Sequence, residues 1–346
     1  MRKLLIILAL ILFVIQPVSA TNYTAPDAPE SAQKYMPPDT QTFGDGLWYV
    51  VKSAIATLQP NVAEAAQTCL SVIAVVMLLS VVRNFTGVSK RLVGLVGALS
   101  MGILLFRSSN SMIQLGTQTV QQMTDYGKLL IPTLTAASAA NGTPVTSAAL
   151  YTGTVIFSSV LSTVITKLVV PLIYVFMALC VADSASGENI LQSMKDLVKW
   201  MATWSIKTVL YVFTGYMSIT GVISGSVDAA AVKAAKITIS GAVPVVGSII
   251  SDASESILLS AGIMKNSAGI YGAVAIIATC IGPFFKIGIH YLLLKLTAAV
   301  CGVFGEKGSD SLLKSMTSAM GLVMAMTGTV CLLLLISVVC FLRSIG

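Results

Sequence analysis

Lys286, His290 and Lys295 sit in a long apolar run, residues 268–304, where a charge without a partner costs roughly a few kcal/mol or more. Spaced by four and then five, they fall roughly along one face of a helix. That face could line a water-filled path or bind an anionic partner. The plainer reading is that each long side chain reaches a headgroup layer at a turn or helix end; it applies more strongly to Lys167 and Lys207, which stand in other apolar runs. A second feature is Gly241-Ala-Val-Pro-Val-Val-Gly247, which leads into Ser251-Asp252-Ala-Ser-Glu255. Gly241, Pro244 and Gly247 interrupt helix, so the segment fits a re-entrant loop, which is tolerated at membrane depth only where protein or water covers its backbone. It fits equally an ordinary surface loop before a helix capped by Ser251 or Asp252. Asp252 and Glu255, three apart, would share a helix face and could pair with Lys265 or Lys286.

Signatures of catalysis are missing. The chain has no phosphate-binding P-loop, no HExxH, no dinucleotide fingerprint and no recognisable motif pairing a nucleophile with a histidine. Asp183, Asp228 and Asp252 fall at the edges of apolar segments, which does not suit an intramembrane protease. His290 is the single histidine, so a multi-histidine metal site within the chain is excluded. The six cysteines (Cys69, Cys180, Cys280, Cys301, Cys331, Cys340) lie inside apolar segments without a CxxC, and read as small packing residues rather than metal ligands. The expectation is a protein that is not an enzyme and carries no cofactor. Energy-driven transport through it would need an ion gradient or a separate ATPase.

The elements that hold these residues follow from composition. In 346 residues, 55% are hydrophobic and 10% charged, and the mean hydropathy is +0.88, well outside the soluble range. The apolar residues gather into stretches near the ~20 residues that cross a hydrocarbon core as helix. A lipid bilayer is the medium, and the fold class is all-α, a polytopic transmembrane helical bundle. The formal charge of +7 comes from basic residues scattered at segment ends, not from a patch, which argues against nucleic acid.

Arg2 and Lys3 precede the apolar run 4–15, and Pro17-Val-Ser-Ala20 supplies small residues for a signal peptidase. Residues 1–20 therefore read as a signal peptide, the alternative being an uncleaved anchor. Residues 21–64 are polar and proline-rich and are expected to form an exposed, partly disordered extracytoplasmic arm. Phe43, Leu47, Trp48, Val51 and Ile55 have helical period, so the arm should end in an amphipathic helix on the outer membrane surface. A first span, about 65–82, is followed by Arg83, Lys90 and Arg91 with no acid between them, which marks a cytoplasmic loop. A second span, 92–106, should end at Arg107. The membrane domain occupies 65–346.

The remainder suggests an internal duplication. Pro132 and Pro171 bracket one unit and Pro244 and Pro283 another, with the same spacing in each pair. Each unit has a long apolar run (145–181; 268–304), a short polar helix bearing Leu-Gln-Ser-Met (191–194) or Leu-Lys-Ser-Met (313–316), and a span (200–225; 318–342). The related units are about 92–199 and 200–317, with 318–342 as the final span. Each run is too long for one straight crossing of a core about 30 Å thick. Either the runs are hairpins turning near Thr166-Lys167 and Gly282-Pro283, giving eight spans and inverted units, or they are long helices kinked at proline, giving six spans and parallel units. Both counts leave the C-terminus outside. Gly221-Val-Ile-Ser-Gly225 matches the membrane helix close-packing motif.

Ser240-Gly-Ala-Val-Pro-Val-Val-Gly247, Ser251-Asp-Ala-Ser-Glu255, Lys265-Asn266 and Gly269-Ile-Tyr-Gly272, with the order of spans, resemble the stage III sporulation protein AE family over most of the chain from about residue 60. The resemblance implies a component of the envelope-spanning complex that links mother cell and forespore after engulfment and supports late forespore development. It implies partners of the same operon type, an AA ATPase and ring-forming AG- and AH-like proteins related to secretion systems, and a place in the mother-cell membrane. Assembly of several copies as a homo-oligomer is compatible with that role. A self-sufficient secondary transporter with internal repeats is the alternative.

Overall fold

A computed structural model describes residues 25–38, 42–85, 89–140, 144–186, 191–219, 267–303 and 307–345. Few helix breakers interrupt the apolar stretches, and they fold as long helices with no strand among the described residues. In chain order these are α1 (Glu30–Gln33), α2 (Phe43–Ala56), α3 (Leu58–Phe85), α4 (Lys90–Ala140), α5 (Pro144–Val164), a π-helical turn (Ile165–Val169), α6 (Val170–Ser186), α7 (Gln192–Ile219), α8 (Ser267–Val303) and α9 (Lys307–Ile345). Among the described residues, five stretches are long and apolar enough to cross a membrane: Val62–Val82, Leu92–Ala140, Pro144–Ser186, Gly269–Val303 and Gly308–Leu342. The expected span 200–225 starts in α7 and runs past Ile219 into residues outside the description, as do the signal peptide and the Gly221–Gly225 motif.

The core of the bundle is α9. Every residue from Ala319 to Leu342 is buried, and α4, α5, α6, α7 and α8 all pack on it. A helix buried on all sides must be apolar all round, and its few polar groups must find partners inside the helix. Thr327, Thr329 and Ser337 do so, donating to the carbonyls four residues earlier at 3.0, 2.8 and 2.9 Å. Gly116 lets α4 approach closely, because a Cβ there would lie 2.8 Å from Met326 Cε and 3.0 Å from Val323 Cγ1. All six cysteines are buried and unbridged.

The long apolar runs resolve as continuous helices. Residues 267–303 form one helix through Pro283, and 144–186 run without a turn through Thr166 and Lys167. The hairpins near Thr166-Lys167 and Gly282-Pro283 are therefore ruled out, and each stretch is one long helix. Pro171 cannot donate to the carbonyl of Lys167 and its ring crowds that carbonyl; the π-helical turn Ile165–Val169 widens the helix there. Pro132 is likewise inside α4. The second span does not end at Arg107, since α4 continues to Ala140. Leu-Gln-Ser-Met and Leu-Lys-Ser-Met lie at the starts of α7 and α9 and not on separate short helices.

The arm is a second correction. Residues 25–38 are docked, with Ala28, Ala32 and Tyr35 buried. Tyr126 donates to the Pro26 carbonyl at 3.3 Å, Ser31 donates to Gln122 at 2.9 Å, and the Ala28 N–H donates to Tyr271 at 3.4 Å. Tyr35 lies over Gly282, where a Cβ would come within 2.6 Å of its hydroxyl. The glycine before Pro283 thus makes the seat for the arm. The expected amphipathic helix is α2, capped by Thr42, whose hydroxyl accepts from the Asp45 N–H at 3.2 Å. Its buried face is Phe43, Gly46, Val50 and Ala54, set against α8. Trp48 and Ile55 point outward, 70% and 54% exposed, so the face is rotated from the expected one.

Candidate functional site

A polar cleft of about 510 Å³ opens between α3 and α4. Two stripes with the same spacing line it: Glu64, Gln67, Thr68 and Ser71 from α3, and Leu104, Arg107, Ser108 and Ser111 from α4. Steps of three and four residues place each set on one face of its helix. Polar groups that would be costly against lipid thereby face one another.

Helix α8 packs on both α3 and α4 and brings two of the expected site residues to this place. Lys286 Nζ lies 2.8 Å from Glu64 Oε2, with the side chains 27% and 54% exposed. His290 is buried, and its Nε2 lies 2.7 Å from Ser108 Oγ. The imidazole Nδ1 is buried without a hydrogen-bond partner. A serine hydroxyl against an imidazole is the first part of a nucleophile and base pair, but a base needs a group that orients it, and Nδ1 meets no carboxylate among the described residues. Arg107 has no acidic partner within ion-pair distance among the described residues. With Glu64 balanced by Lys286, the guanidinium leaves the cleft a surplus of positive charge beside several hydroxyls, a setting suited to an anion. No cluster of metal-ligating side chains occurs among the described residues.

The remaining expected residues separate from this group. Lys295 is exposed on α8, because a step of five residues turns it away from the face shared by Lys286 and His290. Lys286 takes Glu64 as its partner. Asp252, Glu255, Gly241, Pro244 and Gly247 lie outside the described residues. Glu64, Arg107 and Ser108 were not anticipated; their signal was the recurrence of polar residues at steps of three and four on both sides of the first loop.

A second charged group sits at the junction of α6 and α7. Asp183 Oδ2 and Lys195 Nζ are 2.5 Å apart, with side chains 1% and 3% exposed. Asp183 Oδ1 accepts from the Leu191 N–H at 3.0 Å. Nearby, Ser184 donates to the Gly308 carbonyl at 3.0 Å and Lys199 donates to Ser318 at 3.3 Å, tying the junction to the start of α9. The pair is enclosed, and these contacts join the ends of α6 and α7 to the start of α9.

The sequence profile of stage III sporulation protein AE matches residues 42–344, from the N-cap of α2 almost to the end of α9. The chain belongs to the stage III sporulation protein AE family. It is similar to stage III sporulation protein AE of Bacillus subtilis (strain 168), 25% identical over 203 residues. That alignment covers 59% of this chain and 51% of the relative, so the chain spans about half the length of the curated relative it matches. No solved structure matches. The cleft is part of the family region, since Glu64, Arg107, Ser108, Lys286 and His290 all fall within 42–344. The docked arm precedes it. The chain is thus a multi-pass membrane protein of sporulation.

Proposed function

We propose that the chain is a multi-span core component of an envelope-spanning, secretion-like channel complex between mother cell and forespore, seated in the mother-cell membrane and needed for late forespore development. Membership of the stage III sporulation protein AE family carries this reading. Five candidate spans among the described residues, in a sequence without a P-loop motif, support a membrane part energised by a separate subunit. The partners we propose are an AA-type ATPase and ring-forming AG- and AH-like proteins. The polar cleft favours a second reading, a secondary transporter that works alone, because paired charges between apolar helices are what an ion-coupled carrier uses.

Two measurements on one strain set test the proposal. A spore former lacking its own family member receives this chain, either unchanged or as Glu64→Gln or Lys286→Met. Heat-resistant spores are then counted, and the AA-type ATPase is sought with the tagged chain extracted from sporulating cells. The channel reading expects rescue together with recovery of the ATPase. Rescue without any recovered partner refutes it, and if the two substitutions then abolish rescue at normal protein level, the transporter reading takes its place.

A further inference from the structure

Arg107 borders two cavities of opposite character. On one side is the polar cleft with Gln67, Thr68, Ser71, Ser108 and Ser111, and with Glu64, whose carboxylate is held by Lys286. On the other, between α4 and α6, is an apolar groove of about 650 Å³ lined by Leu99, Gly102, Ile103, Phe106, Ala178 and Ala182. The groove exists because small residues face it: the Gly102 position lies against Val181, where a Cβ would come within 2.9 Å, and Ala178 and Ala182 leave the opposite wall low. Arg107 is the residue common to both linings.

We infer that this pair of cavities binds one anionic phospholipid. The occupant must be amphiphilic, because a purely polar solute has no use for the groove and a hydrocarbon has none for the cleft. It must be anionic at the junction, since a guanidinium without an acidic partner among the described residues favours a phosphate, which it can grip with two parallel hydrogen bonds. The phosphate sits at Arg107, the polar headgroup reaches the hydroxyls of the cleft, and one acyl chain lies along α4 from Phe106 toward Leu99. From Arg107 to Leu99 the helix rises about 12 Å, room for the upper part of a chain. The inference concerns the isolated protein and holds or fails independently of the sporulation role.

The test uses the full chain, purified in neutral detergent and offered equimolar phosphatidylglycerol and phosphatidylcholine with matched acyl chains, the retained lipid being counted by native mass spectrometry. The wild-type chain is expected to keep phosphatidylglycerol in preference. Arg107→Gln, at an exposed position, should cut that preference roughly tenfold or more, as expected on losing a charged hydrogen bond, whereas Arg107→Lys should retain part of it. Ala182→Phe fills the groove from its exposed wall and should lower retention of both lipids; should it fail to purify as a single species, Ala178→Leu replaces it. The inference is overturned if the wild-type chain shows no preference, or if Arg107→Gln keeps the wild-type ratio. It is equally overturned if millimolar inorganic phosphate displaces phosphatidylglycerol completely, since the groove would then add nothing.

Discussion

Replacing Lys195 by methionine leaves Asp183 buried at the α6–α7 junction with one hydrogen bond, from the Leu191 N–H, and no cation. Removing one member of a buried ion pair costs about 3–5 kcal/mol, because the remaining charge is stranded away from water. The side chains here are 3% and 1% exposed, so solvent cannot compensate. The double variant Asp183→Asn/Lys195→Met removes both charges and keeps an acceptor for the Leu191 N–H, a bond worth about 1 kcal/mol. It should lie within about 1 kcal/mol of the wild-type chain, which sets the coupling between the two positions at roughly 2 kcal/mol or more. Unfolding is followed by tryptophan fluorescence as dodecyl sulfate is titrated into neutral micelles. Trp200 and Trp204, stacked at 5.9 Å on the same helix as Lys195, report on that region. A loss below about 1 kcal/mol for Lys195→Met, a size typical of exposed pairs, would refute the view that this pair is enclosed. So would a double variant as unstable as the sum of its single changes.

Gly282→Leu should push Tyr35 off its seat, at a cost of about 1–3 kcal/mol typical of overpacking, and tryptic cleavage after the exposed Lys34 should become roughly tenfold faster. Gly116→Leu should separate α4 from α9 and destabilise the bundle by a similar amount, about 1–3 kcal/mol, read in the same micelle titration. Cysteines placed at Ser89 and Val303, near the lower ends of α4 and α8, should react with an impermeant maleimide from the same membrane face. One placed at Val145, 82% exposed at the start of α5, should react from the opposite face. Labelling of all three from one side would overturn the crossing of α4.

The helical class and the apolar cores of the helices were legible because apolar residues accumulate far beyond what a soluble chain tolerates. The far end of α4 was not. Arg107-Ser-Ser-Asn110 reads as a loop when taken alone, yet Ser108 meets His290 and Asn110 accepts from Tyr174 at 2.6 Å, so tertiary partners absorb the polarity that composition assigned to solvent. The arm misled in the same way: its prolines and acids suggested disorder, while Ala28, Ala32 and Tyr35 formed an apolar row too short to stand out. At the site, the step of four sets Lys286 and His290 toward α3 and α4, and the step of five leaves Lys295 exposed. The Asp183–Lys195 pair crosses a turn, where no period operates, and single-chain spacing holds no signal for it.

The central position of α9 has a consequence for how the protein is made. Of the helices described, the one that supplies the core is the last to leave the ribosome. The helices that pack on it are therefore made before that surface exists, and positions such as Gly116 and Gly127, which lie against Met326 and Leu334, still lack that neighbour. Chains pass through insertion N-terminal part first, so the early helices can meet one another, as α4 meets α5, α6 and α8, but the bundle closes around its core only when this late helix arrives.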